Sequence, residues 1–325
     1  MTPFNPLDHP ISLSYPRSSL GVTWTMHIPF AMCLVDLVQP EMLVELGVAM
    51  GESYCAFCQA VQDLGLGTRC YAIDTWQGDL HAGAYGPEVL ATLKAHHDPF
   101  YGSFSRLIES TFDAARVHFA DGSIDLLHID GLHTYEAVKH DYESWLPKMS
   151  ERGVMLFHDI NVRERGFDVW RLWMELALRF PHFEFVHEHG LGVLAVGQSY
   201  PPALDVLLNA SETERLRLRQ FFYRLGVGLA AARDLHQHQG HVRNLRAQVE
   251  AQCAEIAGLT TQLNTLSAHV QSLQGVERRY KALRRWFPVR MVDDWIEYGA
   301  RTALGKAWDS GKTRVVRCAR LLTRR

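Results

Sequence analysis

Apolar and polar positions follow two different periods along residues 42–197. Short apolar runs predict strands, and the longer segments between most of them carry apolar residues at helical spacing. Two further runs, separated by one glycine, predict a hairpin. Together the pattern predicts an α/β fold, a doubly wound and mostly parallel seven-stranded sheet that ends in an antiparallel hairpin. The predicted strands are 42–47, 69–74, 105–110, 124–130, 153–159, 183–189 and 191–197.

The pattern changes after Pro202, and from Val242 to Leu273 the apolar residues recur every three and four positions. Val, Ile and Leu occupy the a positions and Leu the d positions, where only Gln252 interrupts the repeat. Mostly β-branched a residues with Leu at d favour a parallel two-stranded coiled coil. The sequence therefore predicts a C-terminal α-helical coiled coil and a homodimer through residues 242–273. The alternative is a long helix that packs on its own domain.

Composition narrows the protein class only modestly. Of 325 residues, 47% are hydrophobic and 21% charged, as in ordinary soluble enzymes. No apolar stretch reaches the ~18 residues of a membrane span, and no secretory signal is evident, so we expect a cytoplasmic protein. The six cysteines are scattered and suggest no disulfide framework. Cys55 and Cys58 form a CxxC without a second pair, which favours a structural role over a redox one.

Charge divides the chain into two unequal parts. Residues 276–325 contain 14 Lys or Arg and 5 Asp or Glu, a balance of +9, whereas the other residues have a balance of −12. Basic residues interleaved with Trp, Phe and Leu are typical of an amphipathic helix on an anionic membrane face. We expect this tail to dock on a membrane or a partner protein. No nucleic-acid partner is expected, because no base-reading motif accompanies the charge.

The segment "VELGVAMGES", residues 44–53, predicts a ligand-binding turn between the first strand and the first helix. Gly47 and Gly51 permit a tight turn, and the helix start offers free amides. Asp74 ends the second strand, where a carboxylate can accept hydrogen bonds from both ribose hydroxyls. This combination predicts a nucleoside ligand, and at this point the chain resembles class I S-adenosylmethionine-dependent methyltransferases. Cofactor-binding residues are then expected at Glu45, Gly47, Gly51, Ser53, Asp74, Ser110 and Asp130.

The tandem "HIDGLHTYEAVKHDYESWLPKMSERGVMLFHDI", residues 128–160, resembles the signature of one branch of that superfamily, bacterial O-methyltransferases that act on sugars and natural products. The resemblance covers residues 40–197 and implies a Rossmann-like fold and a divalent metal, usually Mg²⁺. It places the metal ligands at Asp130 and Asp159, with His158 a further candidate, and the catalytic base at His133. His158 stands where the branch often has an acid, and it either binds a softer metal such as Mn²⁺ or Zn²⁺ or forms a hydrogen bond elsewhere.

Physical reasoning leads to the same roles. Asp130 and Asp159 end neighbouring strands at the edge where open α/β sheets bind ligands. Two converging carboxylates repel each other unless a proton or cation lies between them, and a hard cation with oxygen ligands suits them. His133 has the chemistry of a general base. His128 and Asp141 are read as structural, and helix capping is the alternative role of the two aspartates.

The loop "DTWQGDLHAGAYG", residues 74–86, is rich in aromatic and acidic residues. Sugars stack on aromatic rings and form hydrogen bonds with carboxylates, so the loop is a candidate substrate-binding element. The alternative is an ordered surface loop. The candidate substrate residues are Trp76, Asp79, His81 and Tyr85.

The sequence as a whole predicts a metal-assisted O-methyltransferase that methylates a sugar hydroxyl of a glycan or glycosylated metabolite, in bacterial surface polysaccharide biosynthesis. The alternatives are a metal-dependent hydroxylase-like enzyme and a non-catalytic nucleoside-binding scaffold. The expected organisation is an N-terminal cap segment (1–40), a methyltransferase domain (41–200), a helical linker (201–240), a coiled coil (241–275) and a basic amphipathic tail (276–325).

Overall fold

The computed structural model describes residues 4–17 and 23–286, and also residues 293, 296, 297 and 299. The described residues divide into two units, one that ends at His238 and one that begins at Gln239. Most of the predicted basic tail, namely residues 287–292, 294–295, 298 and 300–325, lies outside the described residues.

The first unit is built on a seven-stranded sheet with the order β3-β2-β1-β4-β5-β7-β6. The first five strands pair in parallel, and β7 pairs antiparallel with both β5 and β6. The strand order reverses at β1 and β4, which is where doubly wound sheets open a ligand crevice. The strands are β1 Met42–Leu46, β2 Arg69–Asp74, β3 Ser105–Glu109, β4 Ile124–Ile129, β5 Met149–His158, β6 His182–Phe185 and β7 Leu191–Ala195.

Helices cover both faces of this sheet. Side chains alternate along each strand, so that Leu43 and Val154 join one buried cluster while Val44 and Met155 join the other. Residues of α1, α2, α3 and the start of α8 pack on the first face, and α4, α5 and α6 on the second. The helices are α1 Ile28–Val38, α2 Glu52–Asp63, α3 Pro87–Tyr101, α4 Phe112–Arg116, α5 Tyr135–Trp145, α6 Val169–Ala177, α7 Asp205–Leu208 and α8 Glu212–Trp286.

The predicted cap segment and helical linker both contribute to this core. In α1, every residue but Asp36 is buried. The first part of α8 buries Leu218, Phe222 and Leu229 in the same cluster. A Cβ atom on Gly226 of α8 would lie 2.4 Å from the carbonyl oxygen of Met26, so the helix and the N-terminal segment are in backbone contact.

The second unit begins within α8, which continues without a break to Trp286. The nine apolar heptad residues between Val242 and Leu273 are each 46–68% exposed. Among the described helices none is both long enough and apolar enough to span a membrane.

Candidate active site

A cavity of about 660 Å³ opens at the carboxyl ends of β1, β4 and β5. Eleven of the residues predicted from the sequence line it, and three do not. Glu45, Trp76 and Ser110 lie outside the lining. The lining includes Gly47, Gly51, Ser53, Asp74, Asp79, His81, Tyr85, Asp130, His133, His158 and Asp159.

The glycine-rich turn after β1 forms one wall of the cavity. Gly47 has a φ of +83°, and a Cβ atom there would lie 2.1 Å from the carbonyl oxygen of Asp130. Only glycine permits this approach, which brings the turn directly against the end of β4. The carboxylate of Asp74 accepts hydrogen bonds from the amides of Val48 (2.7 Å), Ala49 (2.9 Å) and Trp76 (2.8 Å). Asp74 therefore shapes the turn in addition to facing the cavity.

Glu45 holds the base of this turn from inside the core. Its side chain is fully buried, accepts a hydrogen bond from Ser53 Oγ (2.7 Å) and lies 3.2 Å from Nδ1 of His128. Burial raises the pKa of Glu45, and the neighbouring His128 and Ser53 partly offset this rise. Glu45 thus joins β1 to the first turn of α2 and has no surface open to a ligand, while His128 is a core histidine.

Two carboxylates and two imidazoles meet where β4 and β5 end. Nε2 of His133 lies 2.7 Å from Oδ2 of Asp159 and 3.5 Å from Oδ1 of Asp130. Nδ1 of His158 lies 3.3 Å from the same two carboxylate oxygens. Asp159 has a φ of +61°, a strained conformation for a residue other than glycine. Strain of this kind is often found where a side chain must be aimed at a functional site.

A third imidazole, which the sequence did not predict as a site residue, completes the cluster. Nδ1 of His189 lies 3.0 Å from Oδ1 of Asp159. His189 lies in the turn between β6 and β7, and its carbonyl oxygen accepts a hydrogen bond from the amide of Asn161 (2.8 Å). The pairing of β7 with β5 aligns Leu191 with His158 and so brings this turn to the end of β5. The local sequence "HEHG" at 187–190 predicts only part of a hairpin and does not by itself mark His189 as a site residue.

The charges in this cluster shift one another's pKa values strongly. Burial alone would raise the pKa of Asp130 and of Asp159, but the charge of His158 and the contacts of His133 outweigh it and hold both well below their usual range. Burial alone would lower the pKa of His133, yet the two carboxylates raise it to about 9. The pKa of His158 also lies well above its usual value, because the carboxylates outweigh its burial. The cluster on its own therefore retains imidazolium protons at neutral pH.

The ring of His133 is fixed on both sides. It stacks on Phe167 with a centroid distance of 4.3 Å, and its Nδ1 lies 3.3 Å from Nδ1 of His81. In its imidazolium form His133 directs the N–H of Nε2 toward the two carboxylates and the N–H of Nδ1 toward the lone pair on Nδ1 of His81. Phe167 and Arg165 were not predicted from the sequence, and both line the cavity.

The loop after β2 supplies the outer rim, with one exception. Asp79, His81 and Tyr85 line the cavity. Trp76 does not, because its ring is 5% exposed, belongs to the core and donates a hydrogen bond from its indole nitrogen to the carbonyl oxygen of Ala49 (3.0 Å). A buried ring offers no face to a sugar. Ser110 is also outside the lining, and the two residues after it take its place, Thr111 and Phe112.

The segment before α1 closes the inner side of the cavity. Thr23 and Trp24 line it. Glu52, at the start of α2, accepts hydrogen bonds from the amide of Trp24 (3.0 Å) and from the hydroxyl of Thr25. Arg233 of α8 also donates to that hydroxyl. No local sequence pattern marks this contact, since its partners are far apart along the chain.

One family model and one protein sequence match parts of this chain. Residues 44–160 match the family model described as a methyltransferase domain, and this match supports a methyltransferase domain over that part of the chain. The uncharacterized protein y4gI of Sinorhizobium fredii (strain NBRC 101917 / NGR234) is 45% identical over 236 residues, which are 71% of this chain and 26% of that protein. The chain thus spans about a quarter of the length of this relative.

Solved structures with a similar fold include two described as O-methyltransferases. A putative caffeoyl-CoA O-methyltransferase from Staphylococcus aureus is 14% identical, with a TM-score of 0.43 over 54% of this chain and 85% of that one. The O-methyltransferase TomG from Streptomyces achromogenes, solved with SAM, is 13% identical, with a TM-score of 0.41 over 55% of this chain and 82% of that one.

Proposed function

We propose that this protein is an S-adenosylmethionine-dependent O-methyltransferase that is assisted by a divalent cation and methylates a sugar hydroxyl. One observation carries the proposal. The glycine-rich turn at Gly47 and the carboxylate cluster at Asp130 and Asp159 are in contact within a single cavity. A nucleoside-type binding turn and a candidate cation site therefore share one reaction space.

The first half of the cavity suits the cofactor. The amides at the start of α2 and the carboxylate of Asp74 offer partners for a carboxylate and for ribose hydroxyls, respectively. A carboxylate has about four acceptor positions, so Asp74 retains capacity beyond its three amide donors. S-Adenosylmethionine supplies an electrophilic methyl group on a cationic sulfur. The acidic lining favours a cationic ligand, and its carboxylates are Glu52, Asp74, Asp79, Asp130 and Asp159.

The second half of the cavity suits deprotonation of a hydroxyl. Asp130 and Asp159 would hold a divalent cation, which when bound lowers the pKa of a hydroxyl beside it. With their charge neutralised in this way, Asp130 and Asp159 would attract the proton on His133 less strongly, and the raised pKa of that ring would fall. His133 then acts as the general base that takes the proton of the acceptor hydroxyl. Phe167 and His81 hold the ring in position.

A polyhydroxylated acceptor fits the rim. Asp79, His81 and Tyr85 offer hydrogen-bond partners at the mouth of the cavity. Arg165 is the one lysine or arginine among the described lining residues. A substrate with vicinal hydroxyls can form hydrogen bonds with these polar side chains, whereas an apolar aromatic substrate cannot. A sugar of a glycan or glycosylated metabolite is the acceptor class we propose. Surface polysaccharide biosynthesis is the pathway proposed for it.

The decisive experiment is calorimetric titration of S-adenosylmethionine into the full chain, with wild type compared with Asp74→Asn. The substitution keeps the shape of the side chain and removes the negative charge of Asp74, which accepts hydrogen bonds from the turn amides and, in this proposal, from the ribose hydroxyls. We expect the wild type to bind and the variant to bind at least about tenfold more weakly, a loss of about 1.4 kcal/mol.

The matched control is Asp121→Asn, because Asp121 is an exposed aspartate that pairs with Lys148 away from the cavity. This variant should bind like wild type. No binding of S-adenosylmethionine by the wild type, with or without a divalent cation, would refute the proposed function. After binding is established, transfer of labelled methyl to a panel of nucleotide sugars and catechols tests the acceptor class.

A second function is favoured by one observation. His158, Asp159 and His189 form a set of two imidazoles and one carboxylate whose ligand atoms all lie within 4.8 Å of one another. Such sets hold iron in oxygenases. Oxygen consumption that requires Fe²⁺ and a 2-oxo acid would identify a hydroxylase. We place it second because the family match and the glycine-rich turn both favour methyl transfer.

We also propose that the protein acts as a homodimer in the cytoplasm, paired through residues 242–273, and that its basic tail (276–325) docks on a membrane face or a partner. The exposed heptad residues of α8 support the first part. The balance of +9 in the tail supports the second.

A further inference from the structure

We propose that the cation site of this protein selects a first-row transition-metal dication, such as Mn²⁺, Co²⁺ or Zn²⁺, over Mg²⁺, and that His189 is one of its ligands. The inference rests on the proposed function for the location of the site, and it concerns the chemistry of the ligands there.

The ligand atoms of the cluster are nitrogen-rich. Two sets of three groups, each within 4.8 Å, share Asp159: one contains His158 and His189, and the other contains Asp130 and His133. His133 is reserved as the general base, so the ligand atoms are the imidazole nitrogens of His158 and His189 and the carboxylates of Asp130 and Asp159. Mg²⁺ prefers oxygen ligands and retains several waters, whereas imidazole favours the later first-row dications, whose affinities exceed that of Mn²⁺. A site with two imidazoles is therefore a poor match for Mg²⁺.

The spacing of these atoms fits a common centre. The nitrogen–oxygen distances among these ligand atoms are 3.0 Å between His189 and Asp159, and 3.3 Å from His158 to each of Asp130 and Asp159. Ligands held about 2.1 Å from one ion lie about 3.0 Å apart at octahedral angles and about 3.4 Å apart at tetrahedral angles. The chain therefore already holds these donors at the separations of ligands that share an ion.

His189 and Asp159 provide the independent sign that a ligand is required. Oδ1 of Asp159 is buried and has no hydrogen-bond partner, although Nδ1 of His189 lies 3.0 Å away. A buried carboxylate oxygen without such a partner is costly, and a cation beside it would remove that cost. The turn that carries His189 is fixed to the end of β5 by the hydrogen bond from Asn161. His189 is also half-exposed, so it offers an entry side to the site.

The test is metal binding by the full chain, independent of activity. Protein stripped with a chelator is titrated separately with Mn²⁺, Co²⁺, Zn²⁺ and Mg²⁺, and the visible absorption of bound Co²⁺ reports nitrogen ligation. We expect one transition-metal ion per chain, bound at least about 100-fold more tightly than Mg²⁺. His189→Ala should weaken Mn²⁺ and Co²⁺ binding at least about tenfold and change the Co²⁺ spectrum.

Two controls make the result decisive. His140→Ala removes an exposed histidine of α5 that pairs with Asp113 away from the cavity, and it should bind metal like wild type. Asp159→Asn should abolish binding at the site. Mg²⁺ binding within tenfold of Mn²⁺, no metal binding at all, or metal binding that His189→Ala leaves unchanged would each overturn the inference. Titration of S-adenosylmethionine into the same samples tests the proposed function separately, because its binding turn does not include His189.

Discussion

Gly47 is the residue at which the glycine-rich turn after β1 and the carboxylate cluster depend on each other. Its φ of +83° disfavours any side chain, and the carbonyl of Asp130 occupies the place of a Cβ atom. Gly65 also has a positive φ, +67°, but a Cβ atom there would have no neighbour within 4 Å. A substitution at Gly65 therefore introduces backbone strain alone, whereas one at Gly47 introduces both strain and a clash with Asp130.

We predict that Gly65→Ala costs about 1 kcal/mol of unfolding free energy, and that Gly47→Ala costs at least about 2 kcal/mol more. The excess arises because Asp130 must move to admit the methyl group. Urea denaturation measures both values. Gly47→Ala should also reduce metal affinity through the displaced Asp130, while Gly65→Ala should not. Equal losses of unfolding free energy in the two variants would show that the close contact between Gly47 and Asp130 does not affect stability.

Asp141 is a buried carboxyl group beneath the site, in α5. Burial raises the pKa of Asp141 to about 7, whereas His140 lowers it only partly. In the unfolded chain this group ionises near pH ~4, so between that pH and about 7 the folded state holds a proton that the unfolded state has released. Asp141 therefore favours the unfolded state increasingly as the pH rises through this window.

Asp141→Asn should consequently stabilise the protein at pH 8 by up to about 4 kcal/mol relative to wild type. The difference should shrink as the pH falls and approach zero below about pH 3, where the carboxyl is mostly neutral in both states. Chemical denaturation of the two proteins at a series of pH values measures it. A difference that does not depend on pH would contradict the raised pKa.

At the scale of elements, α8 has two different surfaces along one helix. Its first part buries Leu218, Phe222 and Leu229 against the sheet domain, whereas its later heptad residues are exposed. In a parallel pair in register, Gln252 at its d position would face the Gln252 of the second copy. Such a polar pair fixes register at some cost in stability. The element therefore predicts a dimer with a defined direction.

Leu259→Asp should convert that dimer to a monomer at micromolar concentration, because two carboxylates would face each other in the apolar seam. Ala257→Asp places the same charge at a b position outside the seam and should leave the dimer intact. Sedimentation equilibrium on the full chain distinguishes the two. A monomeric wild type, or equal behaviour of both variants, would show that the apolar stripe does not pair two copies.

At the scale of the whole molecule, the charge distribution separates the acidic residues of the chain from its basic C-terminal fifth. The tail balance of +9 favours an anionic surface, while the remainder, at −12, is repelled by it. Attraction of this kind acts over about 10 Å at moderate salt, so it is sensitive to ionic strength.

We predict that the full chain sediments with vesicles that contain phosphatidylserine and not with phosphatidylcholine vesicles. Replacement of Arg314, Arg317 and Arg320 by Gln should weaken the association at least about tenfold, since each basic residue contributes about 1 kcal/mol near such a surface. Added salt should have a similar effect. Equal binding to phosphatidylserine and phosphatidylcholine vesicles would refute electrostatic docking.

Much of the site follows from local order in the chain. The apolar runs identified the positions of the strands, and Asp74, Asp130 and Asp159 were expected at the cavity because each follows or ends a parallel strand. The chain fixes these features itself, since side-chain period and the last residue of a strand are properties of neighbouring residues. The glycine pattern at 47 and 51 is local for the same reason.

Other features depend on packing between distant segments, and only the tertiary structure decided them. His189 lies beside Asp159 because β7 pairs antiparallel with β5. The register of that pairing cannot be predicted from the sequence of either segment alone. Trp76 is held in the core, where its indole nitrogen donates a hydrogen bond to the carbonyl oxygen of Ala49. The raised pKa of His133 likewise requires two carboxylates from separate strands. The sequence by itself determined which groups end the strands, and three-dimensional packing determined which imidazoles meet them, because electrostatic and ligand interactions act between neighbours in space.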